Sequence, residues 1–162
     1  MSVAFTKEED SESQAANLLD RPISSHPNLV TAAGLAQLEA GLAAARAAYA
    51  AAQAGGEINT DHTAMARATR DLRYFSARRG NAQLVETPAT PDKVVFGGSV
   101  TFERADGRKA TYRIVGEDEA DPAKGAVSYV SPLARALLGK AVGDVATLAG
   151  AQVEVLMVAG IL

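Results

Sequence analysis

Residues Leu35 to Ala82 carry two helical stripes broken once, and that break constrains the chain more than any other feature. Leu35, Leu38, Leu42, Ala45, Tyr49 and Ala52 recur at alternating steps of three and four, the a/d spacing of a coiled coil. Met65, Ala68, Leu72, Phe75, Arg79 and Ala82 repeat the pattern. Between them lies Gly55-Gly56-Glu57-Ile58-Asn59-Thr60-Asp61-His62, where two glycines stop one helix and Asn59 or Thr60 can cap the next. The spacing predicts an antiparallel α-helical coiled-coil hairpin whose arms are each about 20 residues, or about 30 Å, long. Leu35, Leu38, Leu42, Leu72 and Phe75 thicken its base, and alanines thin it toward the tip. Arg79 falls on the seam, so its stem is expected to pack while its head reaches water. Gly41 is out of place in a helix, at a cost of about 1 kcal/mol. So narrow a hairpin has little core of its own and is expected to carry its polar tip to a partner.

The flanking sequence sets the remaining organisation. Residues 1–30 hold two basic and five acidic groups and are expected to form an acidic, disordered tail with a turn at Pro27-Asn28. Thr31 can cap the first helix, which places the hairpin at 31–86. The segment Thr87-Pro88-Ala89-Thr90-Pro91-Asp92 reads as a linker over 87–93, because each proline removes a donor and restricts its predecessor. From residue 94 the pattern changes to short strands: Val94–Phe102, a turn at Asp106-Gly107, Lys109–Val115, Gly125–Val130, Val142–Leu148 and Val153–Ile161. Ser131 caps a short helix over Pro132–Leu138, with proline at the first helical position where its missing amide costs nothing, and Gly139 ends it. The expected fold class is α+β: the helical hairpin, then an antiparallel β domain over 94–162 with one short helix across its face.

Composition excludes several classes. There is no cysteine, so disulfides and thiolate-ligated metals are excluded. His26 and His62 are the only imidazoles, too few for a histidine-rich zinc site. No apolar run approaches the roughly 20 residues needed to cross a bilayer. The opening MSVAFTKEEDSESQ has no basic segment followed by an apolar one, so a signal peptide is not expected and a cytoplasmic location is. The net charge of −3 resides in residues 1–30, leaving the two folded parts near neutrality. That balance does not predict a cationic surface for duplex DNA.

Three clusters can carry chemistry, and each has a plainer reading beside it. At the tip, Glu57 and Asp61 supply carboxylates, with Asn59, Thr60 and His62 beside them. They could share a hard cation such as magnesium, but with too few oxygens to hold it without a partner's ligands. Acidic groups at a helix start also simply complement its dipole. On the second arm, Arg67, Arg70 and Arg73 run along one flank, with Arg78-Arg79 following. That flank suits phosphate or an acidic protein wall, and equally a solvated coiled-coil surface balanced by Asp71. Gly116-Glu117-Asp118-Glu119-Ala120-Asp121 lacks the interleaved spacing of a calcium loop and reads as a solvated connection. No GxSxG elbow, P-loop or dinucleotide fingerprint is present.

The C-terminal motifs carry a resemblance. Val95-Phe96-Gly97-Gly98-Ser99-Val100, Tyr112-Arg113-Ile114-Val115-Gly116-Glu117-Asp118-Glu119-Ala120-Asp121, Ser131-Pro132-Leu133-Ala134-Arg135-Ala136-Leu137-Leu138-Gly139-Lys140 and Val142-Gly143-Asp144 resemble the Gre family of bacterial transcription elongation factors. The likeness covers roughly residues 31–162 and is more specific over the second module than over the hairpin. It implies an FKBP-like C-terminal domain that docks on bacterial RNA polymerase, and a coiled coil that enters the secondary channel. Tip carboxylates would then help hold the polymerase's catalytic Mg2+ during cleavage of backtracked RNA. Transferred to this chain, Gly56-Glu57-Ile58 matches the family's Gly-Asp-Leu and Glu57 takes the first acidic position.

The second acidic position falls on Thr60, which has no carboxylate, with Asp61 adjacent, and each arm is about one heptad shorter than in the cleavage factors. A non-cleaving competitor for the same channel fits these departures as well as a cleavage stimulator does. The resemblance further implies a monomer without turnover of its own, no ion held by the chain alone, no membrane association, and only indirect contact with the nascent RNA end and the DNA of the transcription complex. Arg67, Arg70 and Arg73 would face displaced RNA or the channel wall, and Ser131, Pro132 and Arg135 would lie near the docking surface. Prolyl isomerisation is the outlying alternative. It needs an aromatic-lined apolar cleft, and only Phe96, Phe102, Tyr112 and Tyr129 could line one.

Overall fold

The computed structural model describes residues 18–55 and 62–161, and of His62 the backbone only. The chain divides into two compact units. One comprises the sequence up to Ser25 with Gln37–Asn81, and the other His26–Ala36 with Ala82–Leu162.

In the first unit the two apolar stripes form helices. Helix α1 spans Ala32–Ala54, its first five residues being assigned to the second unit, and helix α2 spans His62–Gly80. Leu38, Ala45 and Ala68 are buried. Leu42, Tyr49, Ala52, Met65, Leu72 and Phe75 are half-buried around them, as the a/d spacing requires. The arms run antiparallel near the base, where Arg79 Nη2 lies 3.0 Å from Glu39 and Phe75 packs on Gly41. A Cβ on Gly41 would sit 2.5 Å from the Phe75 ring, which explains a glycine in mid-helix: the ring occupies the space a side chain would need. Arg79 behaves as expected, with 41% of its side chain exposed and its head on Glu39. The fully buried arginine is its neighbour Arg78, at 1% exposure, which the stripe did not single out.

The second unit is built on a five-stranded sheet. Strand β1 (Leu29–Val30) pairs in parallel with β2 (Gln83–Leu84) as a separate two-stranded ribbon. Strands β3 (Ser99–Arg104), β4 (Lys109–Val115), β5 (Ala126–Ser128), β6 (Val145–Leu148) and β7 (Ala151–Ala159) form the main sheet in the order β5-β4-β3-β7-β6. The turn from β3 to β4 lies where Asp106-Gly107 put it. Gly107 takes φ 84°, open to glycine at no steric cost, and Asp106 accepts a bond from the Arg108 amide at 3.0 Å. Helix α3 (Pro132–Leu137) starts on Ser131, whose Oγ accepts from the Ala134 amide at 3.2 Å. Ala134 and Leu137 bury against Val100, Phe102, Ile114, Val127, Ala146, Val153 and Val155. This is the expected α+β arrangement: a helical hairpin followed by a curled, FKBP-like sheet with one short helix on its face.

Two features differ from the sequence reading. The sheet is mixed, because β5 joins β4 in parallel. A parallel neighbour needs a crossover, and residues 116–125 provide it through two 3-10 turns, Glu117–Glu119 and Pro122–Lys124, closed by reciprocal Asp121–Ala126 backbone bonds of 2.8 and 3.1 Å. The acidic run is therefore a built crossover rather than a solvated loop. Glu119, its side chain only 5% exposed, accepts from the Thr31 hydroxyl, from the Thr31 and Gly116 amides at 3.3 Å each, and faces Arg113 Nη2 at 3.7 Å. Thr31 in turn caps α1, its Oγ1 accepting from the Gly34 amide at 3.1 Å.

The second difference concerns the tail. Where residues 1–30 were expected to be disordered, residues 18–30 make specific contacts. Asn28, Val30 and Thr31 are buried, and the Gln83 amide donates to Asn28 at 2.8 Å. Tyr129 donates its hydroxyl proton to the Pro27 carbonyl. These bonds place residues 26–36 with the sheet, whereas the sequence put the boundary at residue 31.

Candidate functional site

Glu57, Asn59, Thr60 and Asp61 lie outside the described residues, as does the His62 side chain. What the structure supplies is the support: α1 runs to Ala54 and α2 begins at His62, so the tip residues join two antiparallel arms. Among the described residues no cluster of three or more histidine, aspartate or glutamate side chains could hold a metal ion.

The arginine flank of α2 is described. Arg67 is exposed. Arg70 is half-buried, its Nε 3.7 Å from Asp71. Arg73 is exposed and donates through Nη1 to both oxygens of Asp20, at 3.1 and 3.4 Å. The three do not form one open cationic strip, since two of them already face carboxylates of this chain. Sequence reasoning weighed Asp71 as a partner and missed Asp20. A contact 53 positions away leaves no periodic signal.

Beside this flank, Tyr74 and Phe75 meet edge to face at 5.4 Å. The Arg21 guanidinium lies 3.7 Å above the Tyr74 ring centre, a close cation–π contact, with its Nη1 3.8 Å from Asp71. Neither Tyr74 nor Arg21 stood out in the sequence, because both fall outside the a/d stripe.

In the sheet unit, Ser131 is committed to capping α3, Pro132 occupies the first helical position, and Pro132 and Arg135 are exposed on one short helix. Ser131 fixes the start of the helix on which Pro132 and Arg135 are exposed. The aromatics required for an isomerase cleft are engaged with one another. Phe102 is fully buried and stacked on Tyr112 at 6.2 Å, and Phe96 meets Tyr129 edge to face at 5.7 Å. A shallow depression of about 380 Å³ opens elsewhere, lined by Glu103, Arg104, Ala105, Val145, Gln152, Val153 and Glu154, with no aromatic ring.

Residues 88–159 match the family model described as transcription elongation factor, GreA/GreB, C-terminal domain. The sheet unit, with its crossover and capped helix, is thus a GreA/GreB C-terminal domain. The likeness to the Gre family rests on residues 88–159 of the chain. The transcription elongation factor GreA of Desulfovibrio desulfuricans is 40% identical over 93 residues, 56% of each chain. The transcription elongation factor GreB of Pseudomonas aeruginosa is 50% identical over 70 residues, 43% of this chain and 42% of that one. The chain spans about half the length of the curated relatives it matches. Among solved structures, Gfh1 of Thermus aquaticus is 26% identical over 82% of this chain and 97% of its own, with a TM-score of 0.40. Among the described residues no helix is long and apolar enough to cross a membrane.

Proposed function

We propose that this chain regulates transcription elongation by binding RNA polymerase, its sheet unit docking on the enzyme and its hairpin tip entering the secondary channel. The observation that carries this reading is the match of residues 88–159 to the GreA/GreB C-terminal domain, joined to an antiparallel hairpin whose tip sequence holds Glu57 and Asp61. In this reading the exposed Pro132 and Arg135 on α3 contribute to docking, with Ser131 holding the helix start. Glu57 and Asp61 offer carboxylate oxygens at the tip, with Asn59, Thr60 and His62 around them. Two carboxylates satisfy only part of a magnesium shell, so any ion engaged there is held mainly by polymerase ligands. The chain acts as an accessory to another active site and turns over nothing alone.

The second reading, a competitor that occupies the channel without stimulating cleavage, is favoured by one observation. Thr60 stands where the family's second acidic position falls, and Asp61 is displaced by one residue, about 100° around a helix. Cleavage of RNA in stalled, backtracked complexes separates the two. Stimulation by the native protein that is lost in E57A/D61A supports the first. Cleavage equal to buffer, together with competition against an active cleavage factor that survives E57A/D61A, supports the second. Failure to co-purify with core polymerase at modest salt sinks both.

A further inference from the structure

The segment Leu19–Ile23 lies along α2 on contacts that are mainly charged. Leu19 is 85% exposed and Ile23 45%, so apolar burial does little to hold it. Asp20 receives both bonds from Arg73, and Arg21 covers Tyr74 while pairing with Asp71. Each of these contacts is open to water and salt, and each favours the closed arrangement only a few-fold. Closed and open forms must therefore interconvert readily.

The chemistry of the covered face indicates what would replace the segment. It presents the Arg73 guanidinium, with Arg70 and Arg67 one and two steps back along the same flank, next to the face of Tyr74. Guanidinium beside an aromatic face suits single-stranded nucleic acid, in which phosphates pair with the cations and a base stacks on the ring. The segment copies both halves of such a ligand. Asp20 puts carboxylate oxygens where a phosphate would sit, and Arg21 lays a planar group on Tyr74 where a base would stack. An acidic protein wall would use the guanidiniums and leave the ring unexplained.

We infer that residues 19–23 form a releasable strap that competes with single-stranded RNA for the Arg73–Tyr74 face of α2. This rests on the reading of the α2 flank as anion-facing and adds what regulates it. A ligand that binds only the open form loses apparent affinity in proportion to the closed fraction. Opening the strap should therefore tighten RNA binding roughly 3- to 10-fold at low salt, from contacts each worth a few-fold.

The test is fluorescence anisotropy of a labelled oligouridine with the free protein, all 162 residues present, so its outcome is independent of polymerase binding. The deciding variant is R21A. It removes a positive charge, which on electrostatics alone weakens RNA binding, yet it uncovers the Tyr74 ring face while Asp71 keeps its contact with Arg70, and it is expected to tighten binding roughly 3- to 10-fold. R21A/R73A should lose that gain. D20N should tighten binding while D92N, an equal charge change in the linker, should not. Equal or weaker binding by R21A overturns the strap, as does RNA binding by neither protein. A gain confined to an oligoglutamate probe also overturns it, in favour of an acidic protein partner.

Discussion

Glu119 offers the sharpest test of how the sheet unit is held together. Its carboxylate gathers four groups: the Thr31 hydroxyl, the Thr31 and Gly116 amides, and Arg113. Replacing it with alanine strands two backbone amides and a hydroxyl at a site where the carboxylate was 5% exposed. A hydrogen bond to a charged group contributes about 1.5–3 kcal/mol, and an orphaned buried donor costs about 1–3. Both amide bonds are long at 3.3 Å, which puts them at the lower end. The Arg113 side chain is 45% exposed, so that pair adds little. Because the terms share one acceptor they do not sum, and E119A should cost about 3 kcal/mol.

For a chain of this size that corresponds to a fall in Tm of about 6–12 °C. E119Q, which keeps one acceptor oxygen, should lose about half as much. The local readout is amide exchange: protection at Thr31 and Gly116 should drop about 100-fold, as 3 kcal/mol requires. A double-mutant cycle of E119A with T31V should show coupling of at least about 1 kcal/mol. A Tm within 2 °C of wild type (about half a kilocalorie), or additivity of the two substitutions, would refute the idea that this carboxylate anchors the cap of α1 to the crossover.

Two glycine substitutions test close approaches. G34A should destabilise despite alanine's better helix propensity, because its Cβ would sit 2.3 Å from the Glu119 carboxyl group; combined with E119A it should add little, as thermal unfolding of the three variants can show. G41A should cost about 1–3 kcal/mol through overpacking, where propensity alone promises a gain of about 1. Its Cβ would meet the Phe75 ring at 2.5–2.9 Å. Urea unfolding followed by helical circular dichroism decides the sign, and a second change, F75L, should relieve part of the loss.

Where a feature was local and periodic, the sequence made it readable. The α1 stripe survives residue for residue as the buried and half-buried positions, because one seam must face one partner at a period of 3.6. The Ser131-Pro132 start of α3 and the Asp106-Gly107 turn are equally local, each needing only its own four residues. What escaped depends on distant partners. Glu119 and Thr31 are 88 positions apart, Asp20 and Arg73 53, and no propensity scale registers either pair. The parallel entry of β5 was hidden for the same reason. An acidic stretch looks solvated until one of its carboxylates is seen to satisfy two donors of a distant threonine.

The functional residues follow a different rule from the fold. Val100, Phe102, Ile114 and Val155 are fully enclosed, so packing fixes them and their chemistry is inert. In the proposed function, Glu57 and Asp61 owe their interest to the arms on either side, which would deliver them into a site that another protein builds. Arg73 shows the complement. Its geometry is settled by Asp20, yet both side chains are more than half exposed, at 66% and 58%, so a stronger anion can displace the pairing without disturbing the core. In the proposed function, rigid burial in the sheet unit and weak, exchangeable pairing on the hairpin would meet complementary demands: a docking domain has to hold its shape, while a surface that meets a charged partner has to give up the contacts it makes with itself.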